Sequence, residues 1–145
     1  MKRYIKNIKI INDAYITLKW HERKVSYGKE NTDKTFYVIR RANSKIGLFS
    51  LVMTTLGHIK YAVDQGYIPI VDLFHNSMNN EKQNLWELYF GQPCEYTLDD
   101  IKHSKNIILG NGIIDNRIPY PGGNIAYNDD ELQKWRKVVE KYLTL

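Results

Sequence analysis

Apolar residues recur along this chain in two rhythms. In residues 4–20, YIKNIKIINDAYITLKW, the residues Tyr4, Ile8, Ile11, Tyr15 and Leu18 step by four and three, which makes one stripe on a helix. Lys2, Arg3, Lys6, Lys9 and Lys19 fall mostly off that stripe, as do Ile5, Ile10 and Ile16. Two readings fit: a helix packed on its own domain or on a partner, or a basic interfacial helix resting on anionic lipid. The polar SYGKENTDK, residues 26–34, reads as a linker.

From Thr35 the rhythm changes. TFYVIRR is β-branched and aromatic and too short for a helix, so it predicts a buried strand. ANSKIG predicts a turn in which Asn43 or Ser44 caps the next helix. Leu48, Leu51, Val52, Thr55, Leu56, Ile59, Ala62 and Val63 then recur at helical spacing, and Gly66 closes that helix. YIPIVDL is a second strand, with Pro69 arguing for an early or edge position. Strand, helix and strand within about forty residues form a βαβ unit, expected to be parallel and right-handed.

Beyond it, NLWELYF predicts a short aromatic helix, and Thr97 with Asp100 predicts a cap. NIILGNG is a third strand running into a turn, and NRIPYPGGN is loop. DDELQKWRKVVEKYLTL is a closing helix with acids at its start. The expected architecture is α/β: a Rossmann-like three-layer domain over 35–145, with a small parallel sheet, preceded by a basic N-terminal helix and linker over 1–34.

Composition sharpens this in three ways. The 145 residues fit one domain, with no eighteen-residue apolar run and no apolar leader ending in small residues. Cys94 is the only cysteine, which leaves no internal disulfide and no multi-cysteine metal site. These features predict a cytoplasmic protein, peripheral at the inner membrane face if the first helix meets lipid. Finally, residues 1–45 hold twelve lysines and arginines against four acids, while the rest holds nine against twelve. The basic segment, residues 2–24 in particular, therefore suits an anionic membrane surface or a phosphate-bearing ligand. Zinc-finger spacing and RNA-recognition signatures are absent, which disfavours nucleic acid.

An α/β sheet binds ligands beyond the carboxyl ends of its strands. Here those ends carry Arg40 and Arg41 with ANSKIG, then Asp72 with Phe74, His75 and Asn76, then Gly110, Asn111 and Gly112. The resulting anion-site set is Arg40, Arg41, Asn43, Ser44, Gly47 and Asn111, the backbone near Gly47 meeting a phosphate at the helix start. A single glycine in such a turn is as often structural, and SKIG is neither a dinucleotide fingerprint nor a P-loop. Asp72 is read as a base, a metal ligand or a sugar-hydroxyl acceptor, or simply as the cap of the next turn. His58, inside the predicted helix, reads as packed or surface-exposed. Trp86, Tyr89 and Phe90 share a helix face and read as core before they read as a sugar platform. No ligand cluster suggests a metal.

The wording of SYGKENTDKTFYVIRR, GLFS, LGHIKYAVDQGYIPIVDL, NLWELYFGQP, YTLDDIKHSKNIIL and WRKVVEKYL resembles the N-terminal half of bacterial surface-polysaccharide glycosyltransferase-like proteins. These are distantly similar to the fucosyltransferase superfamily, whose two Rossmann-like halves form the arrangement called GT-B. The resemblance implies a nucleotide-sugar donor as substrate, no metal or other cofactor, and a glycan acceptor. It implies that Ala42–Gly47 approaches the donor diphosphate, although this turn is less glycine-rich than the family pattern. It also implies a second half, as a further domain or a second polypeptide, carrying the donor-binding arginine of a His-x-Arg motif; His21-Glu22-Arg23 has that spacing here but lies ahead of the fold proper, in the wrong context. In that reaction Asp72 would deprotonate the acceptor hydroxyl. The competing readings are a free-standing nucleotide- or sugar-binding module, a docking domain working through its basic helix, and a folded remnant without activity.

Overall fold

We describe the chain from a computed structural model covering residues 2–42, 47–74, 83–113, 115–119 and 129–143, with side chains from residue 11 onward. Among the described residues the order is α1 (Lys2–Trp20), β1 (Arg23–Val25), β2 (Phe36–Arg40), α2 (Leu48–Asp64), β3 (Ile68–Asp72), β4 (Ile107–Leu109) and α3 (Asp129–Tyr142). A 3-10 turn at Trp86–Leu88 lies between β3 and β4.

The run FYVI is buried throughout, as expected of a strand covered on both faces. It sits inside the sheet, whose order is β1-β4-β2-β3. Strand β2 pairs in parallel with β3 (Tyr37 opposite Pro69) and with β4 (Tyr37 opposite Ile108). The parallel sheet expected from the sequence is in fact mixed, because Arg23–Val25 adds an antiparallel edge to β4. Three residues are too few to show a two-residue period, so this strand falls in the stretch read as helix and linker. Residues 26–34 are irregular but fastened: Tyr27 and Gly28 donate backbone N–H groups to the Ser104 carbonyl, and Glu30 bridges to Ser104.

Strand β3 is an edge, as Pro69 implied. The outward hydrogen-bonding groups of Val71 are taken by side chains. The Val71 N–H donates to Gln92 Oε1 at 2.9 Å, and the Val71 carbonyl accepts from Gln92 Nε2 at 2.9 Å and Asn84 Nδ2 at 2.6 Å. Two amides thus stand in for a neighbouring strand and blunt the edge.

Helix α2 ends as the glycine signal says. Gly66 takes φ 73°, its N–H reaches the Val63 carbonyl and that of Tyr67 reaches Ala62, the paired bonds of a Schellman cap. Leu51, Leu56, Ile59 and Ala62 of this helix pack on Tyr37, Ile39, Val71 and Ile108, with Trp135 and Tyr142 of α3 closing the same core. The opposite face of the sheet, Phe36, Val38, Ile70, Ile107 and Leu109, is covered by Cys94, Tyr96, Leu98 and Ile101. That cover is irregular chain, so helices lie on one face of the described sheet and the three-layer expectation reduces to mixed α/β. NLWELYF tightens to the 3-10 turn, with Trp86 buried and its indole N–H donating to Gly91. Thr97 and Asp100 form the reciprocal side-chain cap, Asp100 accepting from the Thr97 N–H at 2.7 Å, on a turn rather than a helix.

Helix α1 meets the body through its last turn. From Ile11 to Lys19 every described side chain is exposed. No helix among the described residues is long and apolar enough to cross a membrane.

In the middle of α2, a Cβ added at Gly57 would collide with the Pro119 carbonyl oxygen, so this glycine lets the 115–119 loop lie against the helix. Gly57→Ala should destabilise the fold by about 1–3 kcal/mol despite the better helix propensity of alanine, read as a lower urea midpoint at constant m-value. An unchanged midpoint would show that the loop moves freely off α2.

Candidate functional site

The two connections flanking β2 run on opposite faces of the sheet: α2 leads from β2 to β3 over one, and the chain from β3 to β4 covers the other. Such a reversal opens a crevice at the carboxyl end of the central strand. A cavity of about 190 Å³ lies there, lined by Lys19, Trp20, Arg23, Tyr27, Arg40, Arg41, Asp72 and Leu109. Arg40, Arg41 and Asp72, nominated separately from sequence, therefore share one wall. Lys19, Trp20, Arg23 and Tyr27 were not nominated. They arrive because β1 runs antiparallel to β4, which places Arg23 opposite Leu109 at the same rim.

The nominated residues Arg40, Asp72, Asn111 and Gly47 can each be placed. Arg40 donates from Nε and Nη2 to the Gly110 carbonyl (3.2 and 3.0 Å) and from Nη2 to the His21 carbonyl (3.3 Å). Its guanidinium carbon lies 5.4 Å from the Trp20 ring centroid. Burial first, then the neighbouring Arg23, holds its pKa below the ordinary arginine value, with Asp72 opposing. Asp72 pairs with Arg40 in the β2–β3 register, and its Oδ1 accepts from the Phe74 N–H at 3.1 Å. The turn-capping role is thus present and uses one oxygen. Asn111 does the same for Ile113 at 3.1 Å. Gly47 is the exposed N-cap of α2, without a capping side chain. Neither Asn111 nor Gly47 lines the cavity. Asn43, Ser44, His75 and Asn76 lie outside the described residues.

A second polar cluster sits on the α2 face, and periodicity gave no sign of most of it. His58 is 1% exposed; its Nδ1 is 3.3 Å from the Tyr37 hydroxyl, a hydrogen bond whose direction follows the imidazole tautomer. Its Nε2 has no hydrogen-bond partner among the described residues. Nearby, Asp115 is buried and grips Arg117, which donates from Nε to Oδ1 at 3.0 Å and from Nη2 to Oδ2 at 2.6 Å. Arg117 also reaches Glu22 at 2.9 Å and lies over the Tyr61 ring. The hydrogen bond from Arg117 keeps the Asp115 carboxyl below its usual pKa. The D-x-R spacing inside NRIPYPGGN's approach, Asp115 then Arg117, is the one sequence signal that could have marked it.

The described residues contain no group of three or more His, Cys, Asp or Glu able to hold a metal ion. What the strand-end cavity offers is cationic charge, an indole, a phenol and one carboxylate. That donor set suits a phosphate-bearing ligand with a ring or a sugar attached. Comparison with family models, curated proteins and solved structures finds no match for this chain.

His58 gives the site region a pH signature. Burial first, with Arg41 next, pushes its pKa from 6.5 down to about 4. A depressed folded-state pKa means that the unfolded chain takes the proton first, so stability is full above about pH 6.5 and falls as pH drops toward 4. The loss should approach about 3 kcal/mol by the lower limit of that window. His58→Asn, which keeps an acceptor near Tyr37 but cannot titrate, should flatten that stretch of a stability–pH curve measured by urea unfolding. A wild-type curve already flat from pH 6.5 to 4 would show that His58 charges without penalty.

Proposed function

We propose that this chain binds a phosphorylated sugar or nucleotide at the carboxyl ends of its parallel strands, as the donor-side half of a glycosyltransferase-like protein. The observation that carries the reading is the basic cavity at the point where the connections switch faces: Lys19, Arg23, Arg40 and Arg41 surround it with Asp72 as the carboxylate on its wall. Four cations against one acid favour an anionic guest, and the low-dielectric strand ends strengthen that attraction. Trp20 and Tyr27 supply faces for a base or a sugar ring.

The resemblance to surface-polysaccharide glycosyltransferase-like proteins supplies the reaction. The β2-α2-β3 unit is what a Rossmann-like half would contribute, and a second domain or polypeptide would complete the cleft. Transfer would proceed by direct displacement at the anomeric carbon. The acceptor hydroxyl attacks, the bond from sugar to diphosphate breaks, and the nucleoside diphosphate leaves with the electron pair. Asp72, with one oxygen engaged by the Phe74 N–H and the other free of that bond, would take the hydroxyl proton. Arginines at the rim would stabilise the charge growing on the leaving diphosphate.

Thermal unfolding against GDP, UDP, TDP, CMP and their sugar conjugates tests the binding step. A ligand at about a hundred times its Kd adds about 2.7 kcal/mol and shifts Tm by several degrees. The shift should vanish in Lys19→Ala/Arg23→Ala and persist in Asp72→Asn, whose defect is expected in transfer once the second half is supplied. No shift with any compound would remove the donor from this half.

A further inference from the structure

The excess charge of the chain has an address. Of its 21 lysines and arginines, seven lie in residues 1–24 with only two acids, Asp13 and Glu22; the remaining 121 residues hold fourteen of each sign. The whole net charge of +5 therefore belongs to α1 and the few residues after it. Among the described residues, helix α1 also carries a run of exposed apolar side chains. Ile11 is 69% exposed, Tyr15 61% and Leu18 69%. At about 100° per residue these three fall within a narrow sector, and the same four-three spacing continues back through Ile8 and Tyr4 in the sequence.

The anchoring of α1 decides which way that sector faces. Its last residue, Trp20, packs against Gly112, where a Cβ would strike the indole, and against Arg40; the Trp20 carbonyl accepts from the Gly112 N–H at 2.8 Å. Arg23 caps the helix end by donating to the Lys19 carbonyl at 3.1 Å. Trp20 lies roughly 140–180° around the helix from Tyr15, Leu18 and Ile11. The body thus holds the helix from behind, and the stripe points away from it.

We infer that α1 is a docking helix for an anionic lipid surface, its Ile11–Tyr15–Leu18 stripe entering the headgroup boundary while the net charge of +5 in residues 1–24 draws the segment to the lipid. A like-charged second copy suits that face less well, because pairing two helices of this segment would bring together two patches of +5. Lys19 and Trp20 belong to α1 and to the strand-end cavity alike, so docking would bring the cavity to the membrane. The inference stands on α1 and does not need the cavity's ligand.

Vesicle co-sedimentation of the full chain tests it, using phosphatidylcholine alone and phosphatidylcholine with about a third phosphatidylglycerol. The chain should pellet with the anionic vesicles at low salt, at least about ten-fold less with neutral ones, and progressively less as salt rises. Ile11→Asp/Leu18→Asp, both exposed positions, should abolish pelleting without altering the unfolding midpoint. Equal binding to neutral vesicles, no binding to either, or retention of binding by the double variant would each overturn the inference. So would a stable wild-type dimer in sedimentation equilibrium that the same variant splits into monomers, which would assign the stripe to a second copy.

Discussion

The Arg40 guanidinium is the tie on which the rim of this molecule depends. It stands at the end of the central strand, donates to the carbonyl just past β4 and to the carbonyl just past α1, and lies against Trp20. Three chain segments that are distant in sequence therefore meet through one side chain. A guanidinium can do this because its donors point in several fixed directions and its charge survives partial burial. The consequence for recognition is mixed. Donors spent on Gly110 and His21 are held rigid, which preorganises the cavity wall, while direct contact with a guest falls more heavily on Lys19 and Arg23.

The other face of the same strand solves a different problem. Tyr37 and His58 are both buried, and a buried imidazole in the field of Arg41 and Arg117 is favourable only while neutral. Asp115 offsets part of that field and fixes Arg117, which in turn reaches Glu22. The charged network therefore joins the N-terminal segment to the loop after β4 on this face, as Arg40 does on the other. Burial of Asp115 makes its half of the pair matter more than the half-exposed Arg117–Glu22 contact, which solvent screens.

How much of this was legible in the sequence follows from the range of the interactions. Strand β2, helix α2 with its Gly66 cap, edge strand β3 and helix α3 are written in local periods and punctuation, and each is found where those signals put it. The edge amides Gln92 and Asn84, the three-residue β1 and the Asp115–Arg117–Glu22 network are long-range partnerships with no local period. Composition could not announce them. The site divides in the same manner. Arg40, Arg41 and Asp72 follow from the rule that ligands sit at strand ends, whereas Lys19, Trp20, Arg23 and Tyr27 depend on an antiparallel edge that nothing local predicts. NLWELYF shows the converse error: helical spacing among aromatics was real, but Gly91, Gln92 and Pro93 turn the chain before a second turn can form.

Charge partition connects these observations. A body that balances fourteen basic residues with fourteen acidic ones has no net charge to attract anions at long range, so the long-range pull on an anionic partner comes from the N-terminal segment. Among the described side chains, that segment reaches the body at Trp20 and the residues just after it, and there it contributes Lys19 and Arg23 to the cavity. A surface that captures α1 and a guest that enters the cavity would therefore draw on adjacent parts of one electrostatic feature. Where Lys19 and Arg23 serve both, occupancy of one site changes the field at the other, and coupling between them is an expected property of the layout.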